Sequence, residues 1–168
     1  TFVPEDNYLF LDPYTGNLQR MGVECLYAPF VTSVDDHLAA TPGLYDLVLI
    51  YRYTTAARHL RSIRRFLPQA KVALLEVDLH FLREAREAEL RDDDALRGRA
   101  ARIKRDELAV IRDVDFTMVH STAERDLLAR ECPEAPVAVY GWVTQAPGTL
   151  VPFAPRRDIL FIGGYQHP

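Results

Sequence analysis

Cysteine is scarce: Cys25 and Cys132 stand alone in 168 residues, far apart, with no C-x-x-C spacing and no His cluster beside either. This excludes a disulfide-stapled scaffold and takes away support for zinc and thiol-redox sites, so the two residues read as buried free thiols in a reducing compartment. No apolar run approaches the ~20 residues that a membrane helix needs, and no basic start leads into an apolar stretch of the signal-peptide kind. A basic excess is missing too. Twenty Lys and Arg face 24 Asp and Glu, a formal charge of -4, which offers no general attraction for nucleic-acid phosphates or anionic lipid. Serine-nucleophile motifs, paired metal ligands, Walker loops and dinucleotide fingerprints are all absent. The expectation is a cytoplasmic chain with peripheral membrane contact at most, no nucleic-acid partner and no metal.

What is present is globular in character: 48% hydrophobic and 26% charged residues, in a length that suits one main core rather than two full α/β domains. Short apolar runs alternate with helical patterns from end to end, the signature of successive βα units and a parallel sheet. They predict strands at 1–4, 23–29, 46–52, 71–78, 116–121 and 136–140, and a seventh at 158–162. Leu47-Val48-Leu49-Ile50 and Val72-Ala73-Leu74-Leu75 are apolar without alternation, as strands covered on both faces are. The expected class is therefore α/β, a Rossmann-like parallel sheet with helices on both faces.

Ala56, Leu60, Ile63 and Leu67 recur at helical spacing, while Arg58, Arg61, Arg64 and Arg65 fall elsewhere and read as a solvated face. Pro68 stops that helix. The stretch 81–114 is too long for one uninterrupted covering helix. Arg91-Asp92-Asp93-Asp94 supplies a break and an Asp cap for a second helix, whose apolar side is Leu96, Ala100, Ile103, Leu108 and Ile111. Residues 141–157 lack periodicity and contain Pro147, Gly148, Pro152 and Pro155, so they read as a linker between a domain at 1–140 and the first strand of another at 158–168.

Ligands of open parallel sheets bind beyond the carboxyl ends of the strands. Those positions carry Glu5 and Asp6, Arg52, Asp78 and His80, His120 and Ser121, and Gly163 with Gly164. The densest is Val77-Asp78-Leu79-His80-Phe81-Leu82-Arg83-Glu84, where an acid, an imidazole, a guanidinium and a second acid follow one apolar strand, a set suited to substrate hydroxyls and phosphates. It serves equally well as a helix start, with Asp78 as cap and Arg83 and Glu84 pairing with Glu87 and Arg86. Ser121-Thr122-Ala123-Glu124 is a capping box, which also leaves the positive end of a helix facing the cleft. Gly163 and Gly164 permit either close approach of a ligand or a tight turn. His37 and His59 have no partner in view and receive no role.

These segments, with Glu107-Leu108, Asp115 to Glu124, Arg157 to Gly164 and His167-Pro168, resemble in order and spacing the bacterial glycosyltransferases of family 4, over essentially the whole chain. In that family a strand ends in Asp-Leu-His-x-x-Arg, the next in Ser-x-x-Glu, and Gly-Gly-x-x-His-Pro opens the second domain. The resemblance implies the GT-B arrangement of two facing Rossmann-like domains, of which this chain is the N-terminal, acceptor-side half. It implies His80 and Asp78 as catalytic residues, with Arg52, Arg83, Glu84, His120 and Ser121 binding substrate and Gly163 and Gly164 beside the donor phosphates. The partners implied are a nucleotide-sugar donor, which is a co-substrate rather than a cofactor, and a saccharide or lipid-linked glycan acceptor of cell-envelope polysaccharide biosynthesis. Transfer would be retaining and metal-independent. Where the family commonly has an Asn and a His after the sixth strand, this chain has Tyr140-Gly141-Trp142-Val143-Thr144-Gln145.

Measured against that family, the chain lacks the first βα unit of the N-terminal domain and most of the donor domain, so it is expected to be inactive alone. The strand at 158–162 is expected to fill the slot between the strands at 1–4 and 46–52, because unpaired edges are costly when buried and adhesive when exposed. Two other functions fit the same pattern: a non-catalytic Rossmann-like module that binds a nucleotide, a sugar or a protein, and another GT-B-like enzyme such as a sugar epimerase.

Overall fold

The computed structural model describes residues 1–141, 148–149 and 151–159. In chain order the elements are α1 (Tyr14–Arg20), α2 (Val34–Ala40), β1 (Leu47–Tyr51), α3 (Tyr53–Phe66), β2 (Lys71–Leu75), α4 (His80–Arg91), α5 (Asp94–Asp113), β3 (Phe116–Val119), α6 (Thr122–Glu131) and β4 (Val137–Val139). The four strands form one parallel sheet in the order β1-β2-β3-β4. The chain is therefore α/β and Rossmann-like, as its alternation of runs predicts. Neighbouring parallel strands joined by right-handed crossovers place their connecting helices on one face, and α3 duly packs against β1 and α5.

Local chemistry sets the boundaries. The α3 stripe buries Ala56 and Ile63, and Leu67, the residue before Pro68, leaves helical geometry because the proline ring disfavours it there. Asp92 closes α4 in the left-handed conformation at φ 49°, and the Asp93 side chain accepts from the backbone N–H groups of Ala95 and Leu96 to start α5. The expected break and cap both form. At α6, Ser121 Oγ accepts from the Glu124 N–H at 3.2 Å while the Glu124 carboxylate accepts from the Ser121 N–H at 3.0 Å, completing the capping box.

Between helices and sheet lies a core containing Leu67, Val72, Leu74, Leu79, Ile111, Val119 and Leu128. Cys25 and Cys132 are buried free thiols. Along β1 the cover is one-sided: Ile50 is buried, while Leu47, Leu49 and Tyr51 are each at least half exposed. The continuous apolar run, read as a strand covered on both faces, thus presents one apolar face outward among the described residues.

The N-terminal strands need correction. In place of strands at 1–4 and 23–29, one parallel bridge joins Phe2 to Cys25, with two backbone hydrogen bonds and the short helices α1 and α2 in the sequence that follows or separates them. Apolar runs there, interrupted by Pro4 and Pro29, support no longer ladder, since proline donates nothing. The remaining strands form but stop earlier at their carboxyl ends than predicted. Of the expected seventh strand, Asp158 and Ile159 are described and lie outside any strand; residues 160–162, Gly163, Gly164 and the slot-filling role fall outside the described residues.

One carboxylate ties three elements together. Asp115, just before β3, accepts from the Val72 N–H at 2.9 Å, Lys71 Nζ at 3.1 Å and Arg64 Nη2 at 2.8 Å. The hydrogen bond from the Val72 backbone, then the one from Lys71, holds its carboxyl well below the ordinary carboxylate range. A lowered folded value adds stability above the unfolded value and loses it on acidification. Asp115→Asn is expected to lower the Tm at neutral pH by roughly 2–5 °C, with the gap narrowing as the pH falls through the carboxylate range, in paired thermal melts.

Candidate functional site

The carboxyl ends of β1 and β2 hold most of the chemistry. Arg52 follows β1 with φ 72° and ψ 143°, a conformation that strains any residue but glycine by about 1–3 kcal/mol. Its N–H donates to the Leu75 carbonyl at 3.0 Å and its carbonyl accepts from the Ala56 N–H at 3.2 Å, so ladder and helix together impose that geometry. The guanidinium sits over the Tyr51 ring at 5.6 Å.

After β2 the chain turns through Glu76 and Asp78 into α4, whose first residue is His80. Asp78 does not cap that helix. Leu79 occupies the capping position without a side-chain bond, and the Asp78 carboxylate pairs instead with Arg83 Nη1 at 2.6 Å. The missing cap comes from α5: Glu107 Oε1 accepts from the His80 N–H at 2.9 Å and Oε2 from the Phe81 N–H at 2.8 Å. A carboxylate there satisfies two orphan donors and meets the positive end of the helix. It also lies beside the imidazole, with His80 Nδ1 3.7 Å from Glu107 Oε1 and the ring edge-on to Tyr53 at a centroid distance of 5.0 Å. His80 is mostly covered, its side chain 14% exposed.

Glu76 and Glu107 are 1% and 0% exposed, although both are acids. Neither carboxyl oxygen of Glu76 has a hydrogen-bond partner. Burial, with the Glu107 carboxylate beside it, pushes the Glu76 carboxyl up to about 9, and the Tyr53 backbone N–H, then Arg52, offset this only in part. Burial first and Glu107 second also raise the Tyr53 phenol. Glu76, His80, Glu107, Tyr53 and Arg52 therefore form one interacting group.

The other expected site residues lie in different surroundings. Arg83 bridges Asp78 and Glu84, and Glu84 in turn reaches Arg99 Nε at 3.2 Å, joining α4 to α5. Ser121 spends both its N–H and its hydroxyl on Glu124 within the capping box. At the end of β3, His120 Nδ1 lies 2.8 Å from the Tyr140 carbonyl oxygen. Of the residues without a role, His59 lies between the carboxylates of Glu5 and Asp35, and His37 bonds Tyr45.

Glu76 and Tyr53 were not among the candidates, and Glu107 stood only as part of a resembling segment. A signal existed: Glu76 interrupts the apolar run Val72 to Val77, and Glu107 falls on the apolar side of α5 near Leu108 and Ile111, where an unpaired charge is rarely fully buried. Glu76, His80 and Glu107, which local spacing does not connect, place their donor atoms within 4.8 Å of one another from three different elements. Comparison with protein-family models, with curated proteins and with solved structures gives no significant match.

Two outcomes test this geometry. Glu107→Ala strips the acceptor from two covered N–H groups and is expected to cost about 2–4 kcal/mol, read from urea unfolding. For Glu76 the folded value lies above the ordinary one, so its contribution to stability is complete at low pH and is lost as the pH climbs toward about 9. Glu76→Gln, neutral throughout, should match the parent near about pH 5 and melt higher near about pH 8.5, both in chelator-containing buffer.

Proposed function

We propose that this chain is the acceptor-side domain of a glycosyltransferase that moves a sugar from a nucleotide-sugar donor to a saccharide or lipid-linked glycan. The observation that carries the reading is the mounting of His80: the first residue of a helix at the carboxyl end of a parallel strand, its N–H held by buried Glu107 and its ring braced by Tyr53. Such a mounting suits transfer chemistry, which depends on holding a hydroxyl and a developing charge in fixed geometry. A dense set of donors and acceptors on adjacent turns supports it, with the Asp78–Arg83 pair and Arg52 available to hydroxyls and phosphate oxygens. Two unpaired buried thiols agree with a reducing, cytoplasmic setting, and no described helix is long and apolar enough to cross a membrane.

In this reading His80 contacts the reacting sugar, and Asp78 and Arg83 orient the acceptor. Ser121 acts through the α6 cap. The strained backbone at Arg52 is the kind of cost that a binding site retains.

The test is release of nucleoside diphosphate by the protein carrying this chain together with a donor domain, across a panel of nucleotide sugars, with and without saccharide acceptors. Release that needs acceptor is expected, with His80→Ala lowering kcat by roughly 10²- to 10⁴-fold and Arg83→Ala raising the acceptor KM. Undiminished turnover in both variants would remove the site assignment. Saccharide or nucleotide binding without turnover would identify a binding module, and a changed sugar epimer without transfer would identify an epimerase.

A further inference from the structure

Glu76, His80 and Glu107 bring two carboxylates and one imidazole to one point, each from a different element: the end of β2, the first residue of α4 and the middle of α5. Buried acids ordinarily find hydrogen bonds or an opposite charge. Glu76, at 1% exposure, has neither oxygen in a well-formed hydrogen bond, although the Tyr53 backbone N–H eases its ionisation, and His80 Nδ1 is buried with only Glu107 Oε1 facing it at 3.7 Å. Three donor groups thus converge where two of them lack a well-formed hydrogen bond. Glu107 already accepts two backbone N–H groups, yet each of its oxygens keeps a further lone pair.

We propose that Glu76, His80 and Glu107 bind a single divalent transition-metal ion of the Zn²⁺ or Mn²⁺ class. Two carboxylates and an imidazole are a donor set for such ions. Ca²⁺ takes six to eight oxygens, and soft ions select sulfur. The ion would meet the unfilled oxygens of Glu76 and the unfilled nitrogen of His80, and its charge would offset two adjacent buried acids. Metal–ligand bonds of about 2.0–2.2 Å are shorter than the present spread allows, so binding draws the three side chains inward. Three protein ligands leave at least one coordination position for water or a hydroxyl, the layout of an open site rather than a closed structural one. This inference shares His80 with the glycosyltransferase reading but does not rest on it, since it concerns ion binding by the chain itself, read without turnover.

The experiment is calorimetric titration of the chelator-stripped chain with Zn²⁺ and, separately, Mn²⁺, alongside thermal melts and the visible absorption of the Co²⁺ form. One ion per chain, a raised Tm and Co²⁺ bands typical of nitrogen–oxygen ligation are expected. Glu76→Gln and His80→Ala should each weaken binding at least tenfold and remove the rise in Tm, with far-UV circular dichroism unchanged. Failure of the parent chain to bind either ion overturns the proposal, as does equal affinity in the parent and both variants, which would mark adventitious surface binding. A parent that binds no ion while Glu76→Gln stabilises it overturns it too, and assigns a proton to the buried acid. If a variant does not fold, the Co²⁺ spectrum of the parent decides, and absence of the bands counts against the site.

Discussion

A carboxylate with no exposure holds the first two N–H groups of the α4 helix, and much of the candidate site depends on that contact. Glu107 reaches them from a neighbouring helix because α4 supplies no side-chain cap of its own. The pairing is favourable on both sides: orphan donors gain an acceptor, and the negative charge meets the positive end of the helix. It also locks α4 against α5 and fixes where the His80 ring lies. Burial first, and the same charge second, make the neighbouring Glu76 costly to ionise, so this one buried group bears on helix start, imidazole position and acid behaviour together.

Around this point the fold acts as a frame. Parallel strands in sequential order bring successive loops to one edge of the sheet, where Arg52, Glu76, Asp78 and His80 gather. At the opposite ends of the strands, Asp115 joins the starts of β2 and β3 to α3. Stability is thus secured at one edge by well-satisfied charge. At the other edge, strain at Arg52 and unsatisfied burial at Glu76 persist, an asymmetry typical of sites under functional demand.

The open face of β1 belongs to the same architecture. Ile50 of β1 is buried, while Leu47, Leu49 and Tyr51 remain outward among the described residues. A run of four apolar residues does not reveal which of its sides will be covered. That depends on strand order, which is a property of the whole sheet.

Local order was legible in the residues themselves. The βα alternation, the stop at Pro68, the Asp93 cap and the Ser121–Glu124 box act over a few positions, and each formed as the pattern indicates. Asp78 and His80 were found because they follow an apolar strand, but Asp78 turned to Arg83 instead of capping, a choice between two near-equal partners that spacing does not resolve. Single apolar runs at 1–4 and 23–29 overstated strand formation, since a ladder needs partners in register as well as propensity. The amino-acid sequence determined the fold class, the βα order from β1 to β4 and the ends of α3, α5 and α6 named above, because propensity, capping and periodicity are short-range. Only the tertiary structure decided that Glu107 caps α4, that Glu76 is desolvated and that both meet His80, because desolvation and trans-element hydrogen bonds arise only when the core closes over them.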